Sequence, residues 1–190
     1  MNFLAHCHLS HGDDELLIGN LCADFLGPNL RWTPFSPRVA RGIEWHYAID
    51  RFTDSHPLVA RSRARFFPKF RHYSAVLVDL FYDHLLAVHF ERFGARPLPK
   101  FAQTVYGALE THFSRLPAPM QLVMAPMIEN DWLVSYAHRE GIEYALNRIA
   151  RRARKPLDFV GAWPIFSDDF AAFEADFLEF YPQLIAQWND

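Results

Sequence analysis

The residues of this sequence that could do chemistry are carboxylates and imidazoles at helical spacing in apolar stretches. Asp79 and Asp83 lie four residues apart within 76–88, where apolar side chains occupy every side of a helical wheel. This pattern predicts a buried helix with two carboxylates on one face, about 40° apart. Two such carboxylates repel each other and lose their hydration inside the protein. We therefore expect a cation to neutralise them, either a metal ion or arginines that enter the core.

A second helix supplies the matching half of this cluster. Ser36-Pro37 predicts an N-cap and a first helical residue, and the helix runs to about residue 52 with His46 and Asp50 in its apolar stripe. Asp54 lies one turn further on. If the two helices pack face to face, five side chains converge: His46, Asp50, Asp79, Asp83 and His84. Mixed imidazole and carboxylate ligands suit Mn²⁺, Mg²⁺ or Fe²⁺, and such an ion polarises a phosphoryl oxygen and acidifies a bound water.

Each of these residues also has an ordinary structural interpretation. His46 could be a hydrogen-bonded core histidine, and Asp50 could form a helix ion pair. Asp24, on a further apolar helix, is a candidate ligand or base. His6 and His8 alternate like one face of an extended segment, and they could either reach the same pocket or serve a capping or core role.

Length and composition bound the kind of protein that carries these residues. The chain has 190 residues, of which 51% are hydrophobic and 16% aromatic, enough for one well-buried core, so we expect a single domain over 1–190. The net charge of −3 gives no overall attraction to nucleic acid. Cys7 and Cys22 have no zinc or disulfide spacing, and no signal sequence or long apolar run is present, so we expect a cytoplasmic protein that does not contact a membrane.

The elements that position these residues are predicted to be helices. Strand-like alternation does not persist beyond a few residues, so the fold class is all-α, a compact helical bundle. Helices are predicted at 36–52, 74–93, 100–115, 126–138, 141–152 and 167–182.

Charge is unevenly distributed along the chain. From 55 to 78 all charged residues are basic, and from 167 to 190 all are acidic. The basic residues are Arg61, Arg63, Arg65, Lys69 and Arg71, and the acidic ones are Asp168, Asp169, Glu174, Asp176, Glu179 and Asp190. Solvated helix faces are the plain interpretation of both stretches. The acidic, aromatic C-terminal helix could also support a dimer, so the oligomeric state stays open.

Four ordered motifs, spread over nearly the whole chain, resemble those of the bacterial acyl carrier protein phosphodiesterase family. They are Asn2-Phe3-Leu4-Ala5-His6-x-His8-Leu9, Gly19-Asn20-Leu21-x-Ala23-Asp24-Phe25, Gly42-Ile43-x-x-His46-x-x-Ile49-Asp50-x-x-Thr53-Asp54 and Asp79-x-x-x-Asp83-His84. The resemblance implies a helical enzyme related to the HD-type metal phosphohydrolases. It implies that a divalent ion such as Mn²⁺ helps to hydrolyse the phosphodiester between 4′-phosphopantetheine and a serine of holo acyl carrier protein.

The resemblance also implies roles for individual residues. Metal binding falls to a subset of His46, Asp50, Asp79 and Asp83, while Asp24, Asp54 or His84 orients water or handles a proton. In the HD pattern His directly precedes Asp, whereas Asp83 precedes His84 here, so that kinship is remote or rearranged.

The basic stretch suggests how this protein would bind such a substrate. Acyl carrier proteins are small and acidic, so Arg61, Arg63 and Arg65 would steer the carrier toward the pocket. Two other functions remain open. One is a metal phosphohydrolase of nucleotides or small phosphodiesters, and the other is a non-catalytic regulator that binds the carrier.

Overall fold

A computed structural model describes residues 1–26, 36–153 and 157–188 of this chain. Within these ranges there are twelve α-helices, a few short 3-10 turns and no β-strand, which confirms the all-α prediction. The helices are α1 Phe3–His8, α2 Asp14–Cys22, α3 Pro37–Ser55, α4 Pro57–Phe70, α5 Ser74–Val88, α6 Phe90–Phe93, α7 Leu98–His112, α8 Ala118–Glu129, α9 Trp132–Ser135, α10 Arg139–Arg152, α11 Ala162–Asp168 and α12 Phe170–Ala186. None of these helices is both long and apolar enough to cross a membrane.

The predicted helix starts at Ser36 and Ser74 are confirmed, whereas the predicted start at Ser167 is wrong because Ser167 lies inside α11. Ser36 is the N-cap of α3, where its side chain accepts a hydrogen bond from the Val39 N–H at 3.2 Å. α10 starts at Arg139, two residues before its predicted start. The chain also contains α4, which the basic composition of 55–78 did not reveal.

The prolines mislead the prediction at two places. Pro126 lies inside α8 and Pro182 lies inside α12, although a proline removes a backbone donor and clashes with the preceding turn. In both helices the neighbouring side chains are buried: Met127 follows Pro126, and Tyr181 precedes Pro182. Burial of these side chains offsets the local cost, so tertiary packing overrides the local signal.

α5 occupies the centre of the fold. It packs against α1, α4, α10 and α12, and the apolar side chains Leu77, Phe81 and Leu85 are fully buried. The ring of Phe81 stacks on the ring of Phe66 from α4, with centroids 5.3 Å apart, and on that of Phe166 from α11, at 4.4 Å. Aromatic contacts of this kind account for the high phenylalanine content of the chain.

α2 and α3 form the closest helix pair in the structure. A Cβ placed on Gly19 would overlap the carbonyl oxygen of Val39, and one placed on Gly42 would overlap that of Leu16. The two backbones are therefore in direct contact. This contact brings Asn20 on α2 and His46 on α3 into the same layer of the fold.

The basic and acidic stretches of the sequence pair with each other between α4 and α12. Asp176 is fully buried, and its carboxylate accepts hydrogen bonds from Arg61, Ser62 and Arg65. Arg65 also contacts Asp169, at 2.7 Å. Arg61 and Arg65 of the basic stretch thus neutralise part of the acidic stretch. Asp190, the last residue of the acidic stretch, lies outside the described residues.

Candidate functional site

Two histidines and two aspartates converge beside α5. The Nε2 atom of His46 lies 3.2 Å from Asp24 Oδ1 and 3.2 Å from Asp50 Oδ2, and the Nε2 atom of His6 lies 3.2 Å from Asp50 Oδ1. The two imidazole rings stack with centroids 4.2 Å apart. We call His6, Asp24, His46 and Asp50 the His–Asp cluster.

The four members of the cluster come from three elements of the N-terminal half. His6 is on α1, Asp24 is in the 3-10 turn Ala23–Phe25 that follows α2, and both His46 and Asp50 are on α3, one turn apart. The contact between α2 and α3 sets the position of Asp24 relative to His46. The imidazoles are buried while the carboxylates of Asp24 and Asp50 are 56% and 37% exposed, so the cluster opens to solvent on its carboxylate side.

The amide of Asn20 fixes the orientation of His6. Its Nδ2 donates to the His6 carbonyl at 3.1 Å and to Ser10 Oγ at 3.2 Å, which leaves Oδ1 to accept from His6 Nδ1 at 2.7 Å. Because Nδ1 carries the proton, Nε2 of the neutral ring presents a bare lone pair. Burial lowers the pKa of His6, which favours that neutral form.

The bare nitrogen of His6 faces a carboxylate. His6 Nε2 makes no hydrogen bond within the described structure, although Asp50 Oδ1 is only 3.2 Å away. A nitrogen lone pair and an ionised carboxylate oxygen repel each other at this distance, and a cation bound to both would remove the repulsion. The ammonium group of Met1 contacts the same oxygen but makes no hydrogen bond with this nitrogen. Partners such as Asn20, which hold the far nitrogen of a histidine, are characteristic of metal-binding imidazoles.

The spacing of the ligand atoms fits a metal ion. In octahedral coordination with bonds of about 2.1 Å, adjacent ligand atoms are about 3 Å apart, close to the 3.2 Å separations of this cluster. The ligand atoms of His6, His46 and Asp50 all lie within 4.8 Å of one another. Imidazole nitrogens with carboxylate oxygens are a donor set for Mn²⁺, Fe²⁺ or Zn²⁺.

The electrostatics of the cluster place a proton on His46, between two carboxylates. Burial alone lowers the pKa of His46, but the Asp24 and Asp50 carboxylates outweigh it and raise that pKa to about 9. Burial likewise raises the pKa of Asp50, but its contacts with His46 and with the ammonium group of Met1 hold it well below its usual value. Both carboxylates are therefore ionised at neutral pH, and a metal ion that binds His46 Nε2 would displace the proton from this nitrogen.

Asp79 borders the cluster through the N-terminal ammonium group. The α-amino nitrogen of Met1 lies 3.2 Å from Asp79 Oδ1 and 3.2 Å from Asp50 Oδ1. Burial lowers the pKa of this amino group, whereas Asp79 and Asp50 raise it, with a net value of about 10. In the structure, Asp79 thus forms its ion pair with an ammonium group rather than with an arginine.

Asp83 is not brought into the cluster, which corrects the predicted convergence of five side chains. Its carboxylate accepts the backbone N–H groups of Leu4 at 2.7 Å and Ala5 at 3.1 Å. These are free donors in the first turn of α1, and the positive end of a helix attracts a carboxylate. Asp83 therefore anchors the helix that carries His6.

His84 also lies elsewhere, which is a second correction to the predicted convergence. Successive residues on a helix differ by about 100°, so His84 points away from the side of α5 that Asp83 presents to α1. Its Nδ1 atom is 2.7 Å from the Tyr136 carbonyl oxygen, and its ring meets Trp163 and Phe166 edge-on. It is a buried residue between α5 and the C-terminal half of the chain.

The remaining predicted residues lie at the surface. Asp54 is exposed on α3, one turn beyond Asp50, and its charge contributes to raising the pKa of Asp79 after the larger effect of burial. Arg61 and Arg65 pair with Asp176, whereas Arg63 points from another face of α4.

The sequence left the role of His6 open, and the structure places it in the cluster. The alternation of His6 and His8 suggested an extended segment, but both residues lie on α1, where positions two apart point in different directions. His8 instead lies 2.9 Å from the Tyr181 hydroxyl and 3.1 Å from the Phe93 carbonyl oxygen. The signal that could have selected His6 is Asn20, a buried amide on an apolar helix that needs a polar partner.

Comparisons with known proteins cover the whole site. A family model described as "Acyl carrier protein phosphodiesterase" matches residues 1–184. A protein named acyl carrier protein phosphodiesterase from Photorhabdus laumondii is 33% identical over 97% of this chain and 93% of its own length. Proteins of the same name from Yersinia pestis and Escherichia coli O157:H7 are each 34% identical, over 98% of this chain and 97% of their own lengths. No solved structure matches.

Proposed function

This chain belongs to the acyl carrier protein phosphodiesterase family, and from that premise we propose that it releases 4′-phosphopantetheine from holo acyl carrier protein at the His–Asp cluster. The reaction is a hydrolysis of a phosphodiester. Water supplies a hydroxyl group to phosphorus, the bond between phosphorus and the serine oxygen breaks, and a proton goes to that oxygen. The products are apo carrier and free 4′-phosphopantetheine.

The observation that carries the proposal is the bare Nε2 of His6, 3.2 Å from an ionised carboxylate oxygen of Asp50. We assign a divalent ion to this cluster, held by His6, His46 and Asp50 with Asp24 at the open side. When bound, the ion supplies positive charge for the phosphodiester and lowers the pKa of water, and Mn²⁺ is our first candidate, with Mg²⁺ and Fe²⁺ as alternatives.

The protein's own groups then have separate tasks. Asp24 is the most exposed carboxylate of the cluster, and it is ionised because His46 outweighs the effect of burial and lowers its pKa. We assign it to accept a hydrogen bond from the attacking water and to receive its proton. His46 and Asp50 stay fixed by their mutual contact, and Asn20 and Asp83 hold His6 in place.

The experiment that tests this function is mass spectrometry of holo carrier incubated with the protein and Mn²⁺, with and without a chelator. We expect loss of the phosphopantetheine group only without chelator, and metal analysis of the purified protein should find bound metal. His6→Ala should abolish both the release and the bound metal. His138→Ala, which changes an exposed histidine at the N-cap of α10, should leave both unchanged.

The same assay separates the two other functions. Turnover of a nitrophenyl phosphodiester with no change in the carrier would indicate an enzyme of small phosphodiesters. Tight binding of the carrier without a mass change would indicate a regulator. As part of the proposal we place the protein in the cytoplasm, because Cys7 and Cys22 are free thiols as expected in a reducing compartment.

A further inference from the structure

An apolar groove with a basic rim runs between α4 and the start of α5. It encloses about 450 Å³, and we call it the α4–α5 groove. Its apolar lining consists of Ala60, Ala64, Phe67, Pro68 and Ala75. The ring of Phe67 is 49% exposed, which is unusual for a side chain that could have been buried in so aromatic a core.

The two faces of α4 contact different parts of the structure. One face carries Arg61, Ser62 and Arg65, which are turned toward α12 and hydrogen-bonded to Asp176. The other face carries the groove, with apolar residues at positions 60, 64 and 67, spaced as neighbours on one side of a helix. The positive charge available to a partner therefore lies on the groove face rather than at Arg61 and Arg65.

Arg63 and Arg71 form the basic rim. Both line the groove, together with His72, and the guanidinium of Arg71 lies 5.5 Å from the centre of the Phe67 ring. Within the ranges that the structure describes, neither arginine has an ion-pair partner. No acidic residue lines the groove in the described structure, and none occurs in the sequence from 55 to 78, so the charged side chains at the groove are all basic.

The groove and the His–Asp cluster are connected through α5. Ala75 lines the groove, and Asp79 lies one turn later on the same helix, about 6 Å along its axis. Asp79 contacts the same ammonium group as Asp50. A partner seated in the groove would therefore lie next to the side of α5 that carries Asp79, which contacts the cluster through Met1.

We propose that the α4–α5 groove docks an amphipathic helix of the acidic carrier protein, with its apolar stripe on Phe67 and its carboxylates on Arg63 and Arg71. This inference rests on the proposed function, which names the carrier as substrate. Charge complementarity selects this occupant, because apolar groups between two unpaired arginines match a helix with an apolar stripe between acidic residues.

The test compares kinetics on two substrates. For the double variant Arg63→Gln/Arg71→Gln, we expect KM for the holo carrier to rise about tenfold and to lose most of its salt dependence. Turnover of a small nitrophenyl phosphodiester should not change, because neither residue belongs to the cluster. Phe67→Ser should raise KM for the carrier in the same way, with kcat retained.

Matched controls exist on other helices. Lys100→Gln/Arg115→Gln removes two exposed charges, one in the first turn of α7 and one in the 3-10 turn Phe113–Arg115 that follows it, and should change KM by less than about twofold. Leu122→Ser removes an exposed apolar side chain of α8 and should have no effect on KM. An unchanged KM in the groove variants would overturn the docking site while leaving the proposed function intact.

Direct binding keeps the two proposals distinguishable. If the wild-type protein released no phosphopantetheine, the proposed function would fail, but fluorescence anisotropy with labelled apo carrier would still test the groove. Loss of that binding in Arg63→Gln/Arg71→Gln supports docking, and unchanged binding overturns it. A dimer of this chain that dissociates on Phe67→Ser would also overturn it, because a second copy would then be the occupant.

Discussion

The carboxylate of Asp83 on α5 accepts the backbone N–H of Leu4 on α1 at 2.7 Å, a contact between residues 79 positions apart. α1 has only six residues, too few to be stable as an isolated helix. Its first turn is therefore held by a buried side chain from the centre of the fold. This contact fixes the helix from which His6 reaches the His–Asp cluster.

Removing this carboxylate should weaken both the fold and metal binding. Asp83→Ala leaves the N–H groups of Leu4 and Ala5 buried without a partner, and we expect a loss of about 2–4 kcal/mol in the free energy of unfolding. Urea denaturation measures that loss, and Mn²⁺ titration of the folded variant should show weaker binding. Asp54→Ala, which changes an exposed aspartate, serves as the stability control. Equal stability of Asp83→Ala and the wild type would contradict the anchoring role.

The amide of Asn20 should matter to metal affinity although it is not a ligand. Asn20→Leu removes the acceptor that holds His6 Nδ1 at 2.7 Å and lets the ring turn or change tautomer. We expect Mn²⁺ affinity to fall by roughly 10–100-fold, as is usual when the partner of a ligating histidine is lost. Isothermal titration with metal measures the change, and circular dichroism checks that the variant is folded. Wild-type affinity in this variant would mean that His6 is not a ligand.

The contact between α2 and α3 should tolerate no added methyl group. Gly19→Ala places a Cβ against the backbone of α3 and should cost about 1–3 kcal/mol in unfolding free energy while moving His46 relative to Asp24. Gly107→Ala is the control, because nothing lies within 4 Å of a Cβ on that helical glycine. It should stabilise the protein by about 0.5–1 kcal/mol. A Gly19→Ala variant as stable as the wild type would show that the helices can separate without cost.

Of the His–Asp cluster, the sequence predicted Asp24, His46 and Asp50 as site residues and left His6 open, and the reason lies in what helical spacing can reveal. His46 and Asp50 share a stripe of one helix, so their proximity follows from periodicity alone. Asp24 lies beside them only because Gly19 and Gly42 let two helices touch. The motif residues flagged these glycines, but a spacing rule does not state which helix faces which.

The partners of the Asp79 and Asp83 carboxylates could not be predicted from the sequence of α5. Both were expected to require a cation, and only Asp79 contacts one, the α-ammonium group of Met1. Asp83 meets two backbone donors instead, because the first turn of a short helix happens to lie against it. A buried carboxylate can be satisfied by either kind of partner, and tertiary packing decides between them.

Arg65 should be a structural residue and Arg63 should not. Arg65→Ala leaves the buried carboxylate of Asp176 with one fewer cation, and breaking a buried pair in this way costs about 3 kcal/mol of unfolding free energy. Arg63→Ala changes a residue without an ion pair in the described part of the chain and should shift that free energy by less than about 0.5 kcal/mol. Thermal and urea unfolding of the two variants measure the difference. Equal stability would show that Asp176 does not depend on Arg65.

Asp176 should also shape the acid stability of the protein. Burial raises the pKa of this carboxyl, but Arg61, Arg65 and Ser62 outweigh it and hold the pKa below its ordinary value of 3.8. The stability that comes from a lowered carboxyl pKa is fully present above the unfolded-state pKa and is lost as the pH falls through the folded-state value. We therefore expect the wild type to lose unfolding free energy below about pH 4 more steeply than Asp176→Asn, which cannot titrate there. Urea unfolding between pH 2.5 and 7 measures both curves, with Glu179→Gln, an exposed residue on the same helix, as control. Parallel curves for Asp176→Asn and the wild type would mean that the arginines of α4 do not stabilise the ionised carboxylate.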